Sequence, residues 1–201
     1  GRSGRTDGRT PQVSNVTGYC MWDSDGIGFP FTTRFAHFAG WPEPDQEWST
    51  WSEYKRHGWD TPRFLETLAA FEAADGFRYG DPYPDFVESF HRLRDLGVMS
   101  VVVTDKPTDA GVEDNLAWLT DIGCVPDLIV RSRDKTVVLQ YAELRHLPVF
   151  GIDDNIGHVE ALRGAGVEAY LRDMPWNFES DMPRVRSLHQ FADIVTERVS
   201  A

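Results

Sequence analysis

The sequence has few cysteines and no long apolar run. Its two cysteines, Cys20 and Cys124, cannot form a disulfide framework, so we expect a reducing compartment and a cytoplasmic protein. No apolar stretch approaches the roughly eighteen residues of a membrane span, and we expect no membrane association. Positive charge is also scarce, because 20 Lys and Arg against 32 Asp and Glu give a net charge of −12. This balance disfavours an extended nucleic-acid groove but allows one small phosphorylated ligand held by local cations and a metal.

Zinc and calcium motifs are missing as well. The six histidines lack the spacing of zinc ligands, and we interpret them and the two cysteines as structural. Residues 23–26 (DSDG) begin like an EF-hand loop, but Ile27 stands where the third oxygen ligand should be and no Glu closes the loop.

The 201 residues, 41% of them hydrophobic, suit one ordinary domain with a modest insertion. Residues 1–17 are almost devoid of apolar side chains, and we interpret them as a flexible arm or tag remnant. We assign residues 18–29 and 80–201 to an α/β core. Residues 30–79 contain four tryptophans, many charges and a helical run over 62–74, and we interpret them as a small helical cap.

Five short apolar runs predict buried strands, and helical patterns lie between the later ones. The runs cover residues 18–22, 99–103, 127–130, 148–152 and 167–171. Uninterrupted apolar runs of this length are typical of parallel strands buried on both faces. Apolar residues at helical spacing follow over 84–96, 112–122 and 156–163. The alternation predicts a Rossmann-like, doubly wound parallel sheet with the cap inserted after its first strand.

Polar residues stand at the carboxyl ends of three predicted strands. They are Asp23, Thr104 and the pair at 153–154, with Asp25 at the start of the first loop. Each Asp alone is typical of a loop or helix cap, but ligands of open α/β sheets bind at this edge. Several carboxylates brought together need a cation, and an all-oxygen site favours Mg²⁺, with Lys135 as a further positive charge.

This ordered set resembles the haloacid dehalogenase-like (HAD) phosphohydrolases. The four motifs of that family correspond to the DSDG segment at 23–26, to Thr104, to Lys135 and to the acidic pair at 153–154. A narrower resemblance to the 5′(3′)-deoxyribonucleotidases comes from residues 133–138 (RDKTVV), 71–73 (FEA) and 175–177 (PWN). The sequence departs from that group after Thr104, where it reads Asp-Lys-Pro instead of Ser-Pro.

The resemblance implies hydrolysis of a phosphate monoester through an aspartyl-phosphate intermediate. Asp23 would be the nucleophile, and Asp25 the general acid and base. Thr104 and Lys135 would bind the phosphoryl oxygens and stabilise the charge of the transition state.

The resemblance also implies a Mg²⁺ site. Its ligands would be the carboxylates of Asp23 and Asp154 and the backbone carbonyl of Asp25, with Asp153 holding metal-bound waters or Lys135 from behind.

The substrate that we expect is a small phosphate ester, most favourably a (deoxy)nucleoside monophosphate. Phe31 and Phe71 match base- or sugar-contacting positions of the nucleotidases, and Trp51 is a looser match. Aromatic residues of a small cap also commonly form its core. Three alternatives stay open. The first is a phosphatase with another substrate, either a nucleic-acid 3′ end or a sugar phosphate. The second is a phosphotransferase, and the third is a non-catalytic phosphate-binding protein. A homodimer is compatible with all of them.

Overall fold

The structure, a computed structural model, describes residues 16–142 and 146–201. Its core is a parallel sheet of six strands in the order β3-β2-β1-β4-β5-β6. The strands are β1 (Gly18–Trp22), β2 (Val98–Thr104), β3 (Leu128–Arg131), β4 (Val149–Asp153), β5 (Glu168–Arg172) and β6 (Arg184–Val185). The predicted doubly wound α/β fold is confirmed.

Eight helices accompany the sheet in the described residues. They are α1 (Phe31–Ala39), α2 (Glu53–Arg56), α3 (Thr61–Ala73), α4 (Phe86–Asp95), α5 (Asp109–Asp121), α6 (Val138–Tyr141), α7 (Ile156–Gly164) and α8 (Leu188–Val199). The first three lie in residues 30–79, a fully described segment that contains helices and loops but no strand. None of the described helices is long and apolar enough to cross a bilayer.

The sheet is buried because its strands carry apolar side chains on both faces. Cys20 and Trp22 of β1 belong to one hydrophobic cluster, whereas Met21, between them, belongs to the other. Trp22 is fully buried and lies 5.6–5.7 Å, between ring centroids, from Phe86 of α4 and Phe191 of α8. Side chains therefore alternate between the two helical layers, as the period of a strand requires.

The cap has an aromatic core of its own that continues into the main domain. Phe35 of α1 packs against Trp41, Trp48 and Phe71 at centroid distances of 5.5–6.0 Å. Two polar or aromatic contacts also tie the cap to the core. Tyr83 donates a hydrogen bond to Glu47 (2.6 Å), and the rings of Trp51 and Trp176 lie 5.3 Å apart.

The N-terminal limit of the core lies slightly earlier than predicted. Thr17, assigned above to the arm, donates its backbone N–H to Gly97 and its hydroxyl to Leu96, both of which immediately precede β2. Residues 1–15 of the predicted arm lie outside the described residues. Cys20 and Cys124 are free and buried, in agreement with their predicted structural role.

Candidate active site

The strand order brings the predicted acidic residues to one edge of the sheet. Strand β1 pairs in parallel with β2 on one side and with β4 on the other. Asp23 follows β1, Thr104 is the last residue of β2, and Asp153 is the last residue of β4. Because the carboxyl ends of these three neighbouring strands coincide, side chains that are far apart in the sequence meet in space.

Three carboxylates form a compact buried group at this edge. Asp23, Asp153 and Asp154 each offer one oxygen, and these oxygens lie within 4.8 Å of one another. All-oxygen coordination by carboxylates is the donor set of Mg²⁺, so the residues present fit the metal that the resemblance implies. Gly26 makes room for the group: its φ is +74°, and a Cβ there would stand 1.8 Å from Asp154 Oδ2.

The two neighbouring aspartates differ in their protein contacts. Asp153 is fully buried, and its Oδ1 accepts the backbone N–H of Asn155 (2.8 Å) while its Oδ2 contacts His158 Nδ1 (3.1 Å). For Asp154, by contrast, the backbone carbonyl is held, because it accepts a hydrogen bond from Asn177 Nδ2 (2.8 Å). The roles that the resemblance implies, with Asp154 as the direct ligand and Asp153 as its support, stay a prediction.

Lys135 provides a buried positive charge beside Asp23. Its Nζ donates to Asp23 Oδ1 (2.7 Å) and to the backbone carbonyl of Val103 (2.6 Å). A short 3₁₀ turn after β3 carries this lysine, and Asp134 begins the turn by accepting the N–H of Thr136 (2.9 Å). The side chain is thus fixed at the nucleophile predicted from the sequence.

The electrostatics of the group favour binding of a cation. Burial raises the pKa of Asp23 to about 6, Lys135 opposes the rise, and Asp153 and Asp25 add to it. Burial, together with the neighbouring aspartates, also raises the pKa of Asp154 well above its usual value. Burial lowers the pKa of Lys135, but Asp23 and Asp153 outweigh it and the net shift is upward. A divalent ion would replace the missing solvation of these carboxylates.

A second lysine contacts the other predicted catalytic carboxylate. Lys106 Nζ donates to Asp25 Oδ1, and its side chain is fully buried whereas that of Asp25 is 29% exposed. Burial lowers the pKa of Lys106, and the charge of Asp25 opposes this shift. From the sequence, the Asp-Lys-Pro segment stood out only as a departure from the nucleotidases, and Lys106 was not predicted as a site residue. Its position two residues beyond the end of a buried strand was the available signal.

Two hydroxyls at the site have no partner in the described part of the protein. Thr104 Oγ1 and Ser24 Oγ are buried, and neither atom forms a hydrogen bond with the described residues. Buried hydroxyls are normally paired, so orphaned ones beside a carboxylate group indicate that a ligand completes the site. For Thr104, the contact to a phosphoryl oxygen that the resemblance implies stays a prediction.

A cavity of about 220 Å³ opens at this group and extends to the cap. Its lining consists of Asp23, Asp25, Phe31, Trp51, Asp105, Arg133, Lys135, Asp154, Asn155 and His158. Phe31 and Trp51 of the cap thus line the cavity, and their contact with a base or sugar stays a prediction. Phe71 is absent from its described lining: only 1% exposed, its ring packs between Phe31 and Phe77 in the aromatic core.

The cavity also includes side chains that the sequence analysis did not single out. Asp105 directly follows β2, and Arg133 stands two residues beyond β3. His158, interpreted as structural, both lines the cavity and contacts Asp153. Burial lowers the pKa of His158, but the hydrogen bond with Asp153 and the negative charge of Asp153 together outweigh this effect, and the net shift is upward.

Comparisons with known proteins identify the fold. No family model matches the sequence, and no curated protein matches it. Several solved structures do match. An L-2-haloacid dehalogenase matches at 13% sequence identity, and the match covers 88% of this chain and 98% of that chain with a TM-score of 0.58. A haloacid dehalogenase-like family protein from Streptococcus pneumoniae matches at 15% identity (90% and 100%, TM-score 0.57). CbbY from Rhodobacter sphaeroides, in complex with phosphate, matches at 16% identity (88% and 96%, TM-score 0.55).

The chain thus has the fold of the HAD-like hydrolases, a parallel α/β core with a helical cap inserted after β1. It combines this fold with a buried aspartate triad at the carboxyl edge of the sheet. Nothing in these likenesses singles out the deoxyribonucleotidases, and that finer assignment stays a prediction.

Proposed function

We propose that this protein is a Mg²⁺-dependent phosphatase that hydrolyses a small phosphate monoester through an aspartyl-phosphate intermediate. The observation that carries the proposal is the buried triad of Asp23, Asp153 and Asp154 with Lys135 bonded to Asp23. The carboxylates of Asp23 and Asp154 would hold the ion, and Asp153 would hold metal-bound waters or Lys135. The ion would neutralise phosphoryl oxygens that otherwise repel a carboxylate nucleophile.

The residues of the chain divide the chemistry between them. Asp23 Oδ2, the oxygen that Lys135 leaves free, attacks phosphorus, and the bond from phosphorus to the leaving oxygen breaks. Lys135 and the Thr104 hydroxyl stabilise negative charge on the phosphoryl oxygens. Asp25 gives its proton to the leaving oxygen. It then takes a proton from the water that attacks phosphorus and releases inorganic phosphate from Asp23.

A carbon–halogen substrate, as the name of one structural match indicates for that protein, is the second candidate. A halide leaves without needing a proton, and a haloacid brings one negative charge rather than two. Such chemistry gives no reason to bury three carboxylates together or to place Asp25 on the cavity wall. We therefore favour the phosphate ester.

The size and lining of the cavity support a small substrate with a planar group. About 220 Å³ suits a small molecule, and Phe31 and Trp51 stand on its cap side. Stacking of a base on an aromatic ring contributes about 1–3 kcal/mol. A (deoxy)nucleoside monophosphate is accordingly our first choice, ahead of sugar phosphates and nucleic-acid ends.

A substrate panel tests the proposal directly. Nucleoside 5′- and 3′-monophosphates, 3′-phosphorylated DNA, sugar phosphates, 4-nitrophenyl phosphate and 2-chloropropionate should be assayed with Mg²⁺ and with EDTA. We expect EDTA-sensitive release of phosphate, greatest from a mononucleotide, and no release of halide. Asp23→Asn should lower kcat by more than about a thousandfold while the far-ultraviolet circular dichroism stays unchanged.

The control is Asp95→Asn, which changes an exposed aspartate at the end of α4 and should leave the rates unaltered. Halide release without phosphate release would reject the phosphatase. Turnover of the DNA end with none of the mononucleotides would reject the substrate class but keep the reaction. An Asp23→Asn rate within tenfold of the parent would remove Asp23 from its role.

A further inference from the structure

The chain contains only three lysines, and two of them are buried at the active site. Of its 20 basic residues other than histidine, 17 are arginines and the lysines are Lys55, Lys106 and Lys135. Lys55 is exposed on α2, whereas Lys106 and Lys135 are each 2% exposed. Lys135 belongs to the motif set already described. Lys106, which contacts Asp25, does not.

The surroundings of Lys106 are built to hold an ammonium at one place. Its Nζ lies 3.8 Å from the centroid of the Phe77 ring and 5.5 Å from that of Phe29. Phe77 is itself 1% exposed and packs against Phe71 and Phe29. A lysine is seldom fully buried unless its charge is paired, and here the paired carboxylate is Asp25.

We propose that Lys106 is a positioning residue that fixes the carboxylate of Asp25 for proton transfer. The proposal rests on the phosphatase function proposed above. Lys106 binds Oδ1 of Asp25 beside the Phe77 ring. The other oxygen, Oδ2 of Asp25, is then the one that serves the cavity. The proton then moves from Oδ2 to the leaving oxygen as its bond to phosphorus breaks. The same oxygen receives a proton from the attacking water in the second step.

Leaving groups of different basicity separate this role from a structural one. An alkyl phosphate needs a proton on its leaving oxygen, whereas 4-nitrophenolate leaves without one. The ratio kcat/KM reports the steps up to formation of the aspartyl phosphate. Lys106→Met, which keeps the apolar stem against Phe77, should therefore lower kcat/KM about a hundredfold for the best alkyl phosphate of the panel. For 4-nitrophenyl phosphate we expect a loss of less than about threefold. A structural defect would lower both ratios equally.

Lys55→Met is the matched control and should leave both ratios unchanged. Lys106→Gln, which keeps a hydrogen-bond donor, is the second variant and serves as the test if Lys106→Met folds poorly. It should retain part of the activity on the alkyl ester. The double variant with Asp25→Asn tests whether Lys106 acts through Asp25. In that background Lys106→Met should cost less than about twofold on the alkyl ester.

Equal losses on the two esters in both Lys106 variants, or the full hundredfold loss when Asp25 is already Asn, would overturn the role of Lys106 and leave the phosphatase standing. A wild-type protein that hydrolyses neither ester would overturn the phosphatase, and the role of Lys106 with it.

Discussion

Asp23 and Asp154 are acidic side chains buried side by side, an arrangement that costs folding free energy unless a cation or a proton neutralises part of the charge. The pKa of Asp23 rises from 3.8 in the unfolded chain to about 6 in the folded, metal-free protein. The folded state therefore binds this proton more tightly. The stabilisation of the fold that comes from protonating Asp23 is complete below about pH 4 and is lost as the pH rises through about 6. A bound divalent ion would take the place of this proton at neutral pH.

Asp154→Asn should stabilise the metal-free protein at about pH 7.5, because it removes one of the mutually repelling buried charges. We expect the melting temperature to rise by about 2–4 °C, which corresponds to about 1 kcal/mol for a chain of this size. Millimolar Mg²⁺ should raise the melting temperature of the parent at pH 7.5 and less at pH 5, and should not raise that of the variant.

Differential scanning fluorimetry with and without Mg²⁺ checks this, with Asp95→Asn as the exposed control that should behave like the parent. If metal-free Asp154→Asn melts below the parent, or responds equally to Mg²⁺, then Asp154 is not a ligand of the ion.

At the scale of elements, one side chain fastens the ends of two neighbouring strands. Asn177, in the segment after β5, is 1% exposed. Its Nδ2 donates to the backbone carbonyls of Asp154 (2.8 Å) and Arg172 (2.7 Å), and its Oδ1 accepts the N–H of Met174 (3.1 Å). Asn177 thereby fixes the backbone of the predicted metal ligand although its own side chain does not line the cavity.

Asn177→Ala should destabilise the protein by about 2–4 kcal/mol, because three buried backbone groups lose their partner. It should also lower kcat/KM, since the backbone of Asp154 is no longer held. Urea unfolding followed by tryptophan fluorescence measures the first effect. Asn155→Ala is the comparison, because Asn155 caps α7 and its loss should cost only about 1 kcal/mol. Equal losses from the two substitutions would contradict this role of Asn177.

The cap should decide which phosphate ester is used. Trp51 is 42% exposed and lines the cavity, so its ring can stack on a base. Trp51→Leu should lower kcat/KM for the best mononucleotide about tenfold and leave that for glycerol phosphate within twofold. Phe38→Leu, at an exposed aromatic of α1, is the control, because Phe38 does not belong to the cavity lining given above. An equal loss on both esters would remove Trp51 from base recognition.

The central strands were predictable from the sequence because burial on both faces leaves an uninterrupted apolar run. The predicted limits of β1 are exact, and those of β2 to β5 differ by one residue at each end. Strand β6, with two residues, is too short to leave a pattern, and α8 was not predicted from the sequence. The acidic positions were predictable because they stand directly at strand ends. Lys106 and Phe71 were not, because which aromatic rings and which lysine are buried depends on how the cap packs.

At the scale of the whole molecule, we expect the acidic surface and the small cavity to act together on substrate choice. The net charge of −12 creates a repulsive field for any polyanion, although in the proposed phosphatase the lysines and a bound ion would attract a phosphoryl group at close range. The repulsion by the net charge acts over a longer range than the attraction at the site. Salt screens the long-range repulsion strongly and affects the buried site much less.

Ionic strength should therefore change the use of a DNA end more than the use of a mononucleotide. Raising it from roughly 0.01 M to roughly 0.15 M shortens the screening length from about 30 Å to about 8 Å. With saturating Mg²⁺, kcat/KM for a 3′-phosphorylated oligonucleotide should rise severalfold, because its encounter with the acidic protein is less repulsive. The value for a mononucleotide, which carries fewer charges, should change by less than about twofold. Steady-state assays at constant pH provide the measurement. A fall in the rate on DNA with added salt would instead indicate a basic binding track and would favour the nucleic-acid 3′-phosphatase.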